Sequence, residues 1–280
     1  MRTLETLSPE HYKKASDDST FGQIWEDHWG KGLVMDGNLL SVNANLLKRG
    51  DRIVVLNEYV DTVKKIEADM RTGSLGCLVV GTPGIGKSTF LPYLLLLLIS
   101  RGQSVVYFKR ECNIFTSDGV FIPRNNSVLM KPLFHGIPAL VDADSAQGLE
   151  LFSDGTMKVY TVLVSSPKED RIKNYQKERE AAVFVPKAPS RDEAFAVWNL
   201  NFSDRVPELQ KDLELAWKFY GPDFRIGFEL LNSHKTLEEY HTMMKKLISA
   251  LPKADLKKPI PRPPLSQVSF IVYALVLSCG

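Results

Sequence analysis

Short apolar runs alternate with amphipathic stretches through the middle of this chain. LGCLVV, 75 to 80, is an unbroken apolar run of the length and kind that a strand buried on both faces shows. Ahead of it, from Arg52 to about Met70, Val55, Val60, Val63 and Ile66 recur three to five apart, which predicts an amphipathic helix. Behind it, after a glycine turn, 87 to 100 is apolar on every side and closes on Arg101 and Gly102, the basic end and glycine stop of a buried helix. SVVYFKR, 104 to 110, predicts a second strand, and NIFTSDGVFIP, 113 to 123, a hairpin turning at Ser117, Asp118 and Gly119. IPALVDAD, 137 to 144, is a short apolar run that ends in acids.

The alternation continues with a helix at 146 to 152, a strand at 159 to 166, a charged helix at 169 to 180 and a strand at 182 to 186. Strands separated by helices predict parallel crossovers. Ser190 and Glu193 form a capping-box pattern that opens a further helix, and 206 to 220, 225 to 232 and 236 to 251 continue helical, with Trp198 and Trp217 as packing residues. The pattern predicts a three-layer α/β domain with a mainly parallel sheet over 51–200 and a small helical lobe over 201–251. A poorly defined lead-in, 1–50, precedes them, and a Pro-rich linker with an apolar tail, 252–280, follows. That tail docks on the domain or marks where a longer protein has been cut.

Composition narrows the function classes. Thirty-five basic and 33 acidic residues leave a formal charge of +2, so charge predicts no nucleic-acid partner. Cys77, Cys112 and Cys279 lack C-x-x-C spacing, which argues for a reduced, intracellular chain, cytoplasmic or nuclear. Cys112 has no basic pattern around it beyond Arg110 and is not expected to be a reactive thiolate. No secretion signal is visible, and the longest apolar run, Phe90 to Ile99, is far short of the ~20 residues a membrane span needs. His234 and His241, seven apart on a predicted helix, read as a packed or solvated pair.

The chemistry lies in the glycine turn. Gly81, Gly84, Gly86, Lys87 and Ser88 fit G-x-x-x-x-G-K-[ST] between a predicted strand and a predicted helix, the phosphate-binding loop of nucleotide-binding proteins. Glycines let successive amides turn inward on a phosphate, and the helix start adds partial positive charge. The expected ATP-binding residues are Gly81, Thr82, Pro83, Gly84, Ile85, Gly86, Lys87, Ser88 and Thr89, with Lys87 bridging the β- and γ-phosphates. Mg²⁺ is expected on Ser88 and Asp142, the acid that closes IPALVD. Ala143 follows where many ATPases carry a glutamate, so Asp144 is the candidate base and hydrolysis is expected to be slow. Ser165 and Ser166 end the following strand, where a polar group senses a γ-phosphate, and Arg225 in GPDFRIGF is the candidate sensor arginine of the lobe. Pro92, in the second turn of the Leu-rich helix, removes one backbone bond and is expected to bend it.

With GTPGIGKSTF, ALVDAD, VLVSSPKEDRIKNYQKE, VFVP and YGPDFRIGF in view, residues 55 to 232 resemble the P-loop NTPase module of Crinkler-type proteins and of retrotransposon hot spot proteins. The resemblance implies ATP phosphates at Gly81 to Thr89, metal at Asp142, polar sensing at Ser165 or Ser166, and a lobe arginine at Arg225. The chain departs from the family at Pro92, where an ordinary helix former is usual, and in VPKAPSRDEAF and YGPDFR. Expected partners are a nucleotide and a protein of unspecified kind, and a homo-oligomer is compatible with the sequence. The rival readings are a nucleotide-gated interaction module with little turnover and a small-molecule kinase.

Overall fold

The apolar runs of the first two thirds of the chain pair into one eight-stranded sheet. The computed structural model describes residues 7–43, 46–47, 50–81, 84–143, 157–165, 175–233 and 237–249. The expected helix at 146 to 152, the start of the one at 169 to 180, and the linker and tail lie outside these residues. The strands in chain order are β1 Tyr12–Lys14, β2 Met35–Asp36, β3 Leu39–Ser41, β4 Arg52–Val54, β5 Gly76–Val80, β6 Val105–Phe108, β7 Cys112–Thr116, β8 Gly119–Pro123, β9 Pro138–Asp142, β10 Tyr160–Ser165 and β11 Ala182–Phe184. The helices are α1 Thr20–His28, α2 Asn57–Arg71, α3 Lys87–Ser100, α4 Arg191–Phe202, α5 Gln210–Tyr220, α6 Phe224–Ser233 and α7 Leu237–Ser249.

The large sheet has the order β1-β8-β7-β6-β9-β10-β5-β11. From β6 to β11 every pairing is parallel, and β7, β8 and β1 extend the sheet antiparallel. The protein is therefore α/β with a mostly parallel sheet, and β5 and β10, paired on both sides, are buried along their whole length. One face carries Leu78, Val80, Val106, Phe108, Ile114, Ala139, Val141 and Leu163, packed with Leu129, Phe134 and Tyr175. The alternate residues take the other face, where Phe21 of α1 meets Tyr107 and Phe115 edge-on. A small sheet, β2-β3-β4, precedes α2.

The lead-in is better formed than its sequence suggests. Ser19 caps α1 by accepting the Gly22 amide, β1 pairs with β8, and the Trp25 indole donates to the Thr116 carbonyl at 2.7 Å. Residues 52 to 54 are a strand, so α2 starts later than expected, and its inward face is Tyr59, Thr62, Val63 and Ile66; Val60 points outward, 39% exposed. α3 runs unbroken through Pro92 with every residue from Phe90 to Ser100 buried.

Contacts divide the chain into a sheet unit, Met1–Gly81 with Gly86–Lys187, and a helical unit, Ala188–Gly280 with the loop segment Thr82–Ile85. The helical unit thus begins near residue 188 and not after 200, because α4 packs on α6. Its capping box is present: the Ser190 hydroxyl accepts the Glu193 amide at 3.2 Å and the Glu193 carboxylate accepts the Ser190 amide at 2.8 Å. Trp198 fills the centre of this unit, with Phe195 and Trp217 edge-on to it. Gly227 lies so close that a β-carbon there would come within 2.1 Å of the Trp198 ring.

Alanine at an exposed helix position normally gains about 1 kcal/mol over glycine. Against a rigid indole the overpacking cost of about 1–3 kcal/mol outweighs that gain. Gly227→Ala should therefore lower the urea midpoint of the helical unit, and an unchanged or raised midpoint would show that the contact is loose.

Candidate functional site

The register of three neighbouring strands sets the site. β9, β10 and β5 are parallel and adjacent, with Asp142 opposite Val164 and Ser165 opposite Val80. Asp142, Ser165 and Gly81, which follows Val80, therefore lie at the same carboxyl edge of the sheet, the edge where open α/β sheets bind ligands. Asp142 is half-buried and shares the face of Tyr107, whose phenol is pushed well up by burial and then by the Asp142 charge. Ser165, one position further along, takes the opposite face with Leu163 and Val80 and is buried, so strand alternation separates it from Asp142.

Gly81 leaves β5 buried, and the chain returns to the sheet unit at Gly86. Gly84 and Gly86 adopt φ of 88° and 92°, left-handed values that a side chain would strain. Gly86 is the N-cap of α3, and its carbonyl accepts the Thr89 amide at 2.9 Å and the Phe90 amide at 3.1 Å. The Lys87 ammonium folds back and donates to the Gly81 carbonyl at 2.5 Å, closing the loop across its neck. Ser88, exposed, and Thr89, half-buried, follow in the first turn. Pro92 lacks the N–H that would otherwise bond the Ser88 carbonyl.

The tip of the loop belongs to the helical unit. Gly84 accepts the Phe224 amide at 3.0 Å, and Ile85 is buried. Asp223 caps α6 by accepting the Arg225 amide at 2.8 Å, and Arg225 itself is exposed, one residue beyond the amide bound to Gly84. Thr82, Pro83, Asp144 and Ser166 lie outside the described residues.

One residue of the site has no place in the motif. The Tyr59 hydroxyl, on α2, donates to the Gly86 carbonyl at 2.7 Å, while its ring stacks on Tyr93 and tilts against Phe90. A peptide carbonyl and the following N–H lie in one plane and point in opposite directions. Holding the Gly86 carbonyl therefore aims the Lys87 amide away from it, out of the start of α3. A sequence signal for this exists in the spacing Tyr59, Val63, Ile66, which competes with the more apolar Val60.

Burial pushes the Cys77 and Cys112 thiols up to about 12, so neither is a nucleophile at neutral pH. His241 is packed against Phe219 and Tyr220 and burial lowers its pKa, and His234 lies outside the described residues. Among the described residues no three His, Cys, Asp or Glu side chains cluster, and no helix is long and apolar enough to cross a membrane. No family model matches the chain, and no curated protein matches it.

Two measurements follow. Tyr59→Phe keeps the ring packing and removes the hydroxyl, and it should cost about 0.5–1.5 kcal/mol in urea unfolding; a neutral result would mean that the Gly86 carbonyl is held by the helix amides alone. The folded thiols keep protons that the unfolded chain releases above its ordinary thiol pKa of about 9, so folding stability should fall as pH rises from 9 toward 12. Denaturation midpoints at pH 8 and pH 10, with native-state alkylation of Cys77 and Cys112 staying slow at both, check this.

Proposed function

We propose that this chain is a P-loop NTPase module of the kind found in Crinkler-type proteins, which binds ATP with Mg²⁺ at the carboxyl edge of its sheet. The observation that carries the reading is the loop closed by its own lysine: Lys87 Nζ reaches the Gly81 carbonyl while Gly84 and Gly86 take left-handed turns into α3. An ammonium tethered to the loop's neck needs only a small reorganisation to meet a phosphate lying in the same turn. The amides at the start of α3 supply partial positive charge to the same place.

The residues suit a hard, oxygen-ligated cation. The Ser88 hydroxyl is exposed in the first turn of α3, and the Asp142 carboxylate is half-buried at the end of β9. These two would hold Mg²⁺, which when bound neutralises charge on the β- and γ-phosphate oxygens. Lys87 would stabilise the charge that builds on those oxygens as a water oxygen bonds to the γ-phosphorus and the bond to the β–γ bridging oxygen breaks. The products are ADP and phosphate, with the water proton passing to Asp144 or to the phosphate itself. The Ser165 and Ser166 pair is the proposed γ-phosphate sensor.

A second reading, a nucleotide-gated interaction module with little turnover, is favoured by one feature. Ala143, directly after Asp142, is buried with its amide bonded to the Val164 carbonyl at 2.9 Å, so no acid stands at that position to orient water.

Titration of fluorescent ATP with Mg²⁺ into wild type and Lys87→Ala tests the proposal. Lys87→Ala should weaken binding about tenfold or more, equivalent to ~1.4 kcal/mol, and equal affinities would remove the central inference. Asp142→Ala should abolish the Mg²⁺ dependence of binding. Phosphate release that Asp142→Ala or Asp144→Ala eliminates would favour the hydrolase over the gated module.

A further inference from the structure

The start of α6 grips the tip of the glycine loop through contacts that phosphate binding does not require. The Phe224 amide donates to the Gly84 carbonyl at 3.0 Å. The Asp223 carboxylate fills the space a side chain on Gly84 would need: a β-carbon there would lie 1.7 Å from Oδ1 and 2.4 Å from the carboxylate carbon. That carboxylate is oriented, because Oδ1 also accepts the Arg225 amide at 2.8 Å. Gly84 is thus glycine for two reasons, its φ of +88° and the carboxylate lying against its Cα.

A carboxylate and a phosphoryl group are the same kind of ligand for a loop of amides. Both are anionic, both only accept hydrogen bonds, and each repels the other at short range. We propose that Asp223 is a built-in anionic competitor at the loop: with the Phe224 amide it closes on Gly84, and an incoming triphosphate expels the carboxylate and thereby loosens the start of α6, the Phe224 amide included. The proposal rests on the nucleotide-binding reading. The release has a path to the rest of the helical unit, because the Phe224 carbonyl accepts the Trp198 indole N–H at 3.3 Å and Gly227, one turn on, packs on the same ring. The nucleotide thus acts on α6 by replacing one anion with another at Gly84.

Asp223→Asn separates charge from shape, since the amide keeps an oxygen for the Arg225 N–H. Fluorescent ATP with Mg²⁺ is titrated into wild type, Asp223→Asn and Lys87→Ala, each checked for folding by its thermal melt. Asp223→Asn should bind about fivefold or more tighter than wild type, the scale of one removed charge at a partly exposed site. An affinity equal to or weaker than wild type overturns the competitor role. Hydrogen exchange on wild type provides a readout independent of any variant: exchange at the Phe224 amide should rise when ATP and Mg²⁺ are added, and unchanged or slower exchange overturns the displacement. If Lys87→Ala loses binding while Asp223→Asn matches wild type, only the Asp223 proposal falls. If Lys87→Ala binds as wild type does, the nucleotide reading falls and takes this proposal with it.

Discussion

A helix that is apolar on every side must be covered on every side, and α3 imposes that condition on the sheet unit. Its residues from Phe90 to Ser100 are all buried. The sheet covers one side, and Tyr59 of α2 covers another through Phe90 and Tyr93. The far end is closed by the segment after α1, where the Gly30 amide donates to the Ile99 carbonyl and the Gly32 amide to the Ser100 carbonyl, both at 2.9 Å. The Ile99 carbonyl also accepts the Gly102 amide at 2.9 Å, and the turn after α1 adds to the closure of this end in hydrogen bonds as well as in packing. The turn after α1 is therefore part of the structure that holds the carboxyl end of α3.

Where α3 begins decides what the loop can present. β5 delivers the chain to the carboxyl edge, and α3 must start there to lie back along the sheet. The turn between them is short, and three of its carbonyls are held: Gly81 by Lys87, Gly84 by Phe224 and Gly86 by Tyr59. The held Gly84 and Gly86 carbonyls turn the Ile85 and Lys87 amides away from their holders by peptide planarity alone. The directions of these two amides are thus restricted in advance, which under the proposed function would reduce the ordering cost of binding.

The parts of this arrangement that are local in sequence were legible in sequence. β5 and β10 are continuous apolar runs, the capping box of Ser190 and Glu193 marks the start of α4, and the hairpin turn at Ser117 and Asp118 lies where Gly119 predicts it. What escaped depends on contacts between distant segments. β1 is three residues long, with two of them exposed, and only pairing with β8 makes it a strand. Tyr59 and Val60 are neighbours that can each sit on a buried helix face, and a period of 3.6 does not say which one faces Gly86. A capping box says where a helix begins and nothing of what it packs against, so α4 was assigned to the sheet domain although Trp198 and Gly227 bind it to α6. Of the expected site, Gly81, Asp142 and Ser165 fall on one edge because parallel register puts them there, but the alternation of β10 turns Ser165 to the face opposite Asp142.

The fixed charges near the loop bear on how binding and turnover relate in the proposed function. Lys87 contributes a positive charge at the neck, Asp142 a negative one at the end of β9, and Asp223 another against Gly84. In the closed loop the lysine spends one of its three donors on a backbone carbonyl and keeps its charge for a triphosphate. A nucleotide bringing its own divalent cation changes this balance at Asp142, turning a repulsive carboxylate into a ligand. Nothing comparable happens after Asp142, where Ala143 is buried against β10 and supplies no group to a water molecule. Under the proposed function these residues favour holding a nucleotide over cleaving it, and Gly84 is where that binding would meet the start of α6.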